Sequence, residues 1–394
     1  MFSSKGGAAI GVQRLHESLL KNTIDSNIFV YLDYIDSLKL TKRIFIKFKW
    51  YWKVLFKKIF LKILTKRDNK ETLSFNIFNN LNLNKIIENR KVDIVHLHWI
   101  GNEMISVKEI SEINKPVVWT LHDMWPFSGG DHFVIDNNEV KQNKLKNKNF
   151  IKLNNFLINN KVKFFHNKNF SITCPSKWMY KKVLDSSVFK NSSIKILPYI
   201  IDEKNWNYNL TSNKKIINSN KKTVILFSAT SSVNFRKGFN FLVEAINNYL
   251  DNEKYFLLVV GDKPKKFEDI KIEKKYFGYI DSEKTLKNIY FSSDIFVMPS
   301  LFESFGQVFL EAGCFGLPSV TFDNTAASEI ITHKKNGYLS EYKSTKDLAN
   351  GIMWSNYQIL NNKNFKSKNR EIVVKKFSYE NNVKDYINLY SKLT

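Results

Sequence analysis

Short runs of β-branched and aromatic residues, each closed by polar residues or by Gly and Pro, recur along the 394-residue chain. Val92 to Trp99, Pro116 to His122, Thr223 to Ser228, Phe256 to Gly261 and Asp294 to Pro299 read as strands buried on both faces. Parallel strands covered by helices lose the apolar/polar alternation of a half-exposed sheet. Between several of these runs, as in Phe239 to Leu250 and Ser282 to Phe291, apolar residues return at helical spacing. Buried strand alternating with amphipathic helix is the pattern of a doubly wound α/β sheet, and the length accommodates two of them. A boundary is expected near Pro198, where the strand-like Ser193 to Leu197 gives way to the polar stretch Asp202 to Lys222. The reading is an N-terminal Rossmann-like domain over 1–198, a C-terminal one over 199–376, and a terminal helix over 377–394. Val383, Tyr386, Ile387 and Tyr390 share one face of that helix and dock it back on the N-terminal domain.

The segment Lys42 to Arg67, KRIFIKFKWYWKVLFKKIFLKILTKR, departs from this pattern by mixing large apolar side chains with basic ones. At about 100° per residue Lys42, Lys49, Lys53 and Lys57 share a face, while Lys58, Lys62 and Lys66 drift to another. Its charge excludes a membrane span. Two readings stand equally: an interfacial helix on an anionic membrane surface, or a helix packed on the N-terminal sheet with snorkelling lysines.

Charge sharpens that choice only slightly. Lys and Arg number 61 against 37 Asp and Glu, a formal net charge of +24 that attracts phosphates and anionic lipid. The excess is spread through every region rather than gathered in a patch, so no nucleic-acid partner is expected. Cys174 and Cys314 are far apart and fit neither a disulfide framework nor a metal-spaced pair. With no uncharged apolar run long enough to span and no signal-peptide pattern, the expected location is cytoplasmic, 42–67 allowing a peripheral place on the inner membrane's cytoplasmic face.

Four local patterns carry candidate chemistry. In Phe302-Glu303-Ser304-Phe305-Gly306-Gln307-Val308-Phe309-Leu310-Glu311 a loop with Ser and Gly follows a strand and opens a helix. Backbone N–H groups and the helix dipole at such a start stabilise a ligand phosphate, with Glu303 and Glu311 placed to accept from sugar hydroxyls. In Asn234-Phe235-Arg236-Lys237-Gly238 two cations precede another helix, where they oppose its dipole unless an anion lies between them and the amides. A diphosphate would serve, and a basic loop in a basic protein is the plainer alternative. His96-Leu97-His98-Trp99 and Thr120-Leu121-His122-Asp123 place histidines at strand carboxyl ends, the ligand side of open α/β sheets, without the spacing of a zinc site. Gly6-Gly7, ahead of a helix-period segment with Ile10, Leu15 and Leu19, lets backbone approach a phosphate.

Together and in this order, these motifs resemble glycosyltransferase family four, the retaining enzymes of GT-B fold, and particularly bacterial capsule and exopolysaccharide members. FESFGQVFLE, Arg236-Lys237-Gly238, WTLHDMWPFSGG and GLPSVTFDNTAASEII carry the resemblance, which runs over nearly the whole chain. It implies two Rossmann-like domains facing a cleft and transfer of a sugar from a nucleotide sugar to a glycan or lipid-linked oligosaccharide acceptor. By the same resemblance Glu311 binds the ribose hydroxyls, and Glu303 with Ser304 and the amides around Phe305-Gly306 holds the transferred sugar. Arg236 and Lys237 take the diphosphate, Gly6 and Gly7 close over the phosphates, and His122 faces the sugar. His122, Glu303 and Lys237 are the implied catalytic residues. No metal and no cofactor is implied, the base is contacted near Phe277-Gly278-Tyr279-Ile280, and the product keeps the donor's anomeric configuration.

Three departures from the family pattern stand out. Ser231-Ser232-Val233-Asn234 replaces an additional Arg upstream of the phosphate-loop Lys, and Pro198 is followed by Tyr199-Ile200-Ile201-Asp202 rather than Asn-Gly. Only Met1-Phe2-Ser3-Ser4-Lys5 precedes Gly6, where the family has a first strand, which reads as a shortened or misassigned start. The competing classes are another GT-B activity such as an epimerase or phosphorylase, a non-catalytic basic membrane- or nucleic-acid-binding protein, and a truncated inactive enzyme.

Overall fold

A computed structural model describes residues 1, 6–37, 40–65, 73–78, 83–133, 148–207, 219, 221–229 and 234–394. The expectations at 2–5, 66–67 and 231–233, and part of that at 202–222, fall outside the described residues. Two compact units result: Met1–Leu197 with Lys384–Thr394, and Pro198–Val383.

The first unit holds a parallel sheet of order β1-β2-β3-β4, formed by Val95–Leu97, Val117–Thr120, Ser171–Cys174 and Ser193–Ile196. Register pairs Leu97 with Trp119 and Thr120 with Thr173. The apolar runs at 92–99 and 116–122 outlast the strands they form, because pairing stops where His98 and His122 turn away into loops. Trp119 anchors the core, with the rings of Phe165, Phe170 and Phe189 edge-on at 5.8, 5.9 and 5.7 Å. Around the sheet lie α1 (Gly7–Lys21), α2 (Tyr31–Ser37), α3 (Leu40–Thr65), α4 (Leu83–Asn89), α5 (Val107–Ser111), α6 (Lys148–Phe165) and α7 (Lys177–Leu184). In α1 the buried face is Ala9, Val12, Leu15 and Leu19, while Ile10, expected inward, is exposed because it falls on the opposite side of the turn. Met1 pairs with the 29–31 segment, its amine donating to Phe29 O and its carbonyl accepting from Tyr31 N.

Helix α3 packs by one face. Trp50 Nε1 donates to Asn102 O at 2.9 Å. Lys57 is buried, its ammonium donating to Leu73 O at 2.7 Å and lying 3.4 Å from Glu103. Glu103 in turn accepts from the Phe75 and Asn76 amides, so a buried ion pair is completed by backbone donors rather than by water. No helix among the described residues is long and apolar enough to cross a membrane.

The second unit is a six-stranded parallel sheet of order β10-β9-β8-β5-β6-β7, with β5 Thr223–Ser228, β6 Tyr255–Val260, β7 Glu273–Tyr276, β8 Ile295–Val297, β9 Ser319–Phe322 and β10 Gly337–Ser340. Its helices are α8 (Phe239–Tyr249), α9 (Glu283–Phe291), α10 (Gln307–Cys314), α11 (Thr345–Asn361) and α12 (Phe365–Phe377); α13 (Tyr379–Tyr390) begins in this unit and ends in the first. The central strands are buried from end to end apart from the half-buried Thr223, as their apolar runs require. The polar stretch read from Asp202 onward begins inside this core: Trp206 joins Tyr199 and Ile201 there. Trp206 packs against Tyr290 at 5.9 Å and Phe315 at 6.3 Å. Arg370 fastens the segment by donating to the carbonyls of Glu203, Trp206 and Cys314.

Trp206→Ala is expected to remove about 3–5 kcal/mol from the unfolding of the second unit, seen as a lower midpoint in urea. An unchanged midpoint would show that Trp206 is not part of that unit's stabilising core.

Candidate functional site

In the second unit β5 and β8 are neighbours from which the chain winds in opposite directions, to β6 and β7 on one side and β9 and β10 on the other. Loops at the carboxyl ends of two such strands diverge and leave a crevice, the place where open α/β sheets bind ligands. Both basic and acidic motifs of the sequence arrive there. After β5, Asn234 accepts from Arg236 N at 3.0 Å and starts a 3-10 turn, Phe235–Lys237. Gly238 follows at φ 72 and begins α8; a Cβ there would run into the Pro299 carbonyl, so only glycine lets the two loops approach this closely. Arg236 and Lys237 thus stand in a 3-10 turn just ahead of the helix.

After β8, Leu301 N donates to Arg236 O at 2.7 Å and joins the loops. Lys237 Nζ lies 2.5 Å from Glu303 Oε1, which also accepts from Ser300 Oγ at 3.1 Å. Glu303 O accepts from Ala326 N, at the head of a 3-10 turn that Thr325 caps. Gly306, φ 92, precedes α10 with no side chain capping it, which leaves the helix start to polar groups other than its own cap. Glu311 is buried one turn into α10 and accepts from Tyr290 Oη at 2.9 Å. Ser304 is half-buried beside them. The Phe305 ring is a core group between Tyr199 at 5.1 Å and Phe377 at 5.6 Å, so only its backbone is available to a ligand. Lys237, Glu303, Ser300 and the start of α10 thus form one cluster, with Glu311 beneath it.

In the first unit, strand ends gather a second polar cluster. His98 Nδ1 and His122 Nε2 are 2.9 Å apart, and His96 joins Tyr390 Oη at 2.7 Å to Thr120 Oγ1 at 2.8 Å. Burial depresses the basicity of all three rings, His96 to about 3, His122 to about 4 despite the opposing pull of Asp123, and His98 well below its ordinary value. They stand neutral at pH 7. Asp123 accepts from Trp99 Nε1 at 2.6 Å, His132 Nδ1 at 2.6 Å and Trp125 N at 3.0 Å. Burial alone would raise its pKa; His132 beside it, with those hydrogen bonds, holds the carboxyl below the ordinary range. His132 Nε2 shares 2.7 Å with Ser74 Oγ. Lys161, fully buried, donates to the carbonyls of Trp125, Ser128 and Gly129 and lies 4.2 Å over the Trp125 ring. Three carbonyl dipoles and a π face match the three donors of an ammonium, and they fix the loop that carries Asp123 and Trp125. Gly6 and Gly7 open α1, where a Cβ on either would meet nothing within 4 Å, and only Gly6, at φ 96, is asked to be glycine by its backbone. Ser74, His132 and Lys161 carry no local signal in the sequence, since each acts through a partner far along the chain. Among the described residues no group of acidic, His and Cys side chains has the arrangement of a metal site.

Comparison with known families decides the class. The model of Glycosyltransferase Family 4 matches residues 5–205 and that of Glycosyl transferases group 1 matches 210–372. The chain belongs to glycosyltransferase family 4.

A Klebsiella pneumoniae family relative, an uncharacterized 41.2 kDa protein in the cps region, is 27% identical over 320 residues, 78% of this chain and 80% of its own. An uncharacterized glycosyltransferase of Methanocaldococcus jannaschii is also 27% identical, over 197 residues, and there the chain spans about half the relative's length, 49%. Among solved structures, Anabaena HepE in complex with UDP and glucose superposes with a TM-score of 0.65 at 16% identity, covering 100% of this chain and 98% of that one. Sucrose-phosphate synthase of Thermosynechococcus elongatus gives 0.65 at 14% identity, covering 100% and 94%. At such identities the likeness is one of fold, and the fold is GT-B.

The buried histidines of this family member make its first unit acid-labile. Each keeps a neutral ring in the fold while the unfolded chain takes up protons below its ordinary pKa near 6.5. Stability is therefore full above that value and falls, by about 1.4 kcal/mol per pH unit for each such ring, as pH drops toward the folded values near 4 for His122 and 3 for His96. Thermal midpoints followed from pH 7.5 to 4 should show this slope, and His122→Gln should flatten it; a flat wild-type profile would contradict it.

Proposed function

We propose that this chain transfers a sugar from a nucleotide sugar to a glycan or lipid-linked oligosaccharide acceptor, with retention of configuration, in the synthesis of a cell-surface polysaccharide. The observation that carries the donor reading is the cluster at the switch point: Lys237 against Glu303 and Ser300, beside the uncapped start of α10. Departure of a nucleoside diphosphate develops negative charge, and a fixed cation with helix-terminal amides lowers the barrier by preorganised electrostatics. In this reading Arg236 and Lys237 take the diphosphate, Glu311 the ribose, and Glu303 with Ser304 and the Phe305-Gly306 amides the sugar. Binding of the diphosphate draws Lys237 off Glu303 and frees that carboxylate for a sugar hydroxyl. His122, neutral and held by His98, serves in this reading as a hydrogen-bonding group rather than a cation, and Gly6-Gly7 serve the phosphates. The leaving phosphate takes the acceptor's proton as the new bond forms on the same face.

Support for uridine diphosphate as the donor handle comes from HepE, solved with UDP and glucose. Support for a surface polysaccharide comes from the relative in the Klebsiella cps region.

Titration with UDP, GDP and their sugar conjugates should raise the thermal midpoint with one nucleotide family, by about 2.7 kcal/mol of stabilisation at a hundredfold excess over Kd. Glu311→Ala should abolish the response. No shift with any nucleotide would exclude the donor site. With the acceptor in hand, NMR of the product from a donor of defined anomer should show the same configuration; the opposite anomer would refute retention.

A further inference from the structure

The face of α3 turned away from the fold is a stripe of large apolar side chains. Leu40, Ile44, Phe48, Tyr51, Trp52, Phe56 and Ile59 are all about half exposed or more. At about 100° per residue they fall within a sector of roughly 160°, opposite the face on which Trp50, Lys57 and Leu61 are packed. Phe78, itself exposed, extends the stripe beside Phe56 at 6.2 Å, and its carbonyl accepts from Lys53 Nζ. A contiguous apolar surface of this size differs from the scattered exposed residues of ordinary monomers. Its margins are basic: Lys58 and Lys47, the latter bound to Asp36, border one side and Lys49 the other, all three exposed. The helix holds eight basic residues and no acidic one.

We infer that this face of α3 docks the protein on an anionic lipid surface, lying in the headgroup layer with its axis along the membrane plane. Aromatic and aliphatic side chains enter the acyl boundary and the marginal lysines reach lipid phosphates. Charge selects this occupant. A second copy of the chain would set lysine margins against lysine margins across an apolar seam, with no acidic residue of α3 to answer them. The helix is too charged to cross the bilayer, so it rests on it. From sequence the inward and interfacial readings stand equal; in the structure Lys53 and Lys57 face in and the apolar stripe faces out, where the inference places the lipid. The inference is independent of the donor site, and nucleotide titration fails or succeeds separately from it.

Flotation of the full chain with phosphatidylcholine vesicles, with and without phosphatidylglycerol, tests this. The protein should float with the anionic vesicles and detach as salt rises. Ile44→Ser/Phe48→Ser/Trp52→Ser should weaken binding about tenfold or more, and Lys49→Gln/Lys58→Gln should weaken it while reducing its salt dependence. Thermal midpoints check the fold of both variants; should the serine variant unfold, the glutamine variant decides. No flotation with anionic vesicles, or variants that float like the wild type, overturns the inference. So does a wild-type dimer in solution that the serine variant converts to monomer without loss of flotation.

Discussion

The second unit depends on a constraint of winding: from β5 and β8 the chain must leave in opposite directions, and the two loops that do so have to be held at a fixed distance. Three contacts hold them. The Leu301 amide is on the Arg236 carbonyl, Gly238 sits where any side chain would strike Pro299, and Lys237 meets Glu303. A cation and a carboxylate this close, both largely buried, are costly to place and costly to part. The same pair therefore orders the two loops relative to each other.

The first unit solves a different problem, that of basic side chains inside an apolar layer. Lys57 and Lys161 are both buried, yet their ammonium groups are met differently. Lys57 has Glu103, whose remaining capacity is taken by two backbone amides. Lys161 is met by carbonyl dipoles and an indole face, with the Asp123 carboxylate acting on it through its charge rather than a direct ion pair. A sequence rich in Lys thus spends some of it as a structural donor that reaches across loops, work that Asn or Arg does elsewhere.

β1, β2, β5, β6 and β8 were legible as apolar runs, because a parallel strand covered on both faces needs no polar positions, whereas β7, Glu273–Tyr276, alternates exposed and half-buried residues and offers no such run. Helices α5, α7 and α9 start at Ser106, Ser176 and Ser282, each accepting from an amide three residues on, caps that apolar periodicity does not report. The acidic motif at 303–311 was legible because strand, loop and helix are adjacent in sequence. What escaped were contacts made by single residues across long separations: Ser74 with His132, Lys161 with Gly129, Arg370 with Glu203. Periodicity reports which face of an element is apolar, and it is silent on which distant polar group meets a buried one. It also cannot tell an apolar face turned to the core from one turned to the outside, which is why the role of α3 needed coordinates.

His96, on the edge strand β1, is hydrogen-bonded to Tyr390, and Leu197 accepts from Tyr386, both on α13. In the order of synthesis residues 198–383 come between them. The first unit to begin emerging from the ribosome is thus the second to be finished. The contacts that Tyr386 and Tyr390 make with Leu197 and His96 can form only after the other unit has been made and could already have folded.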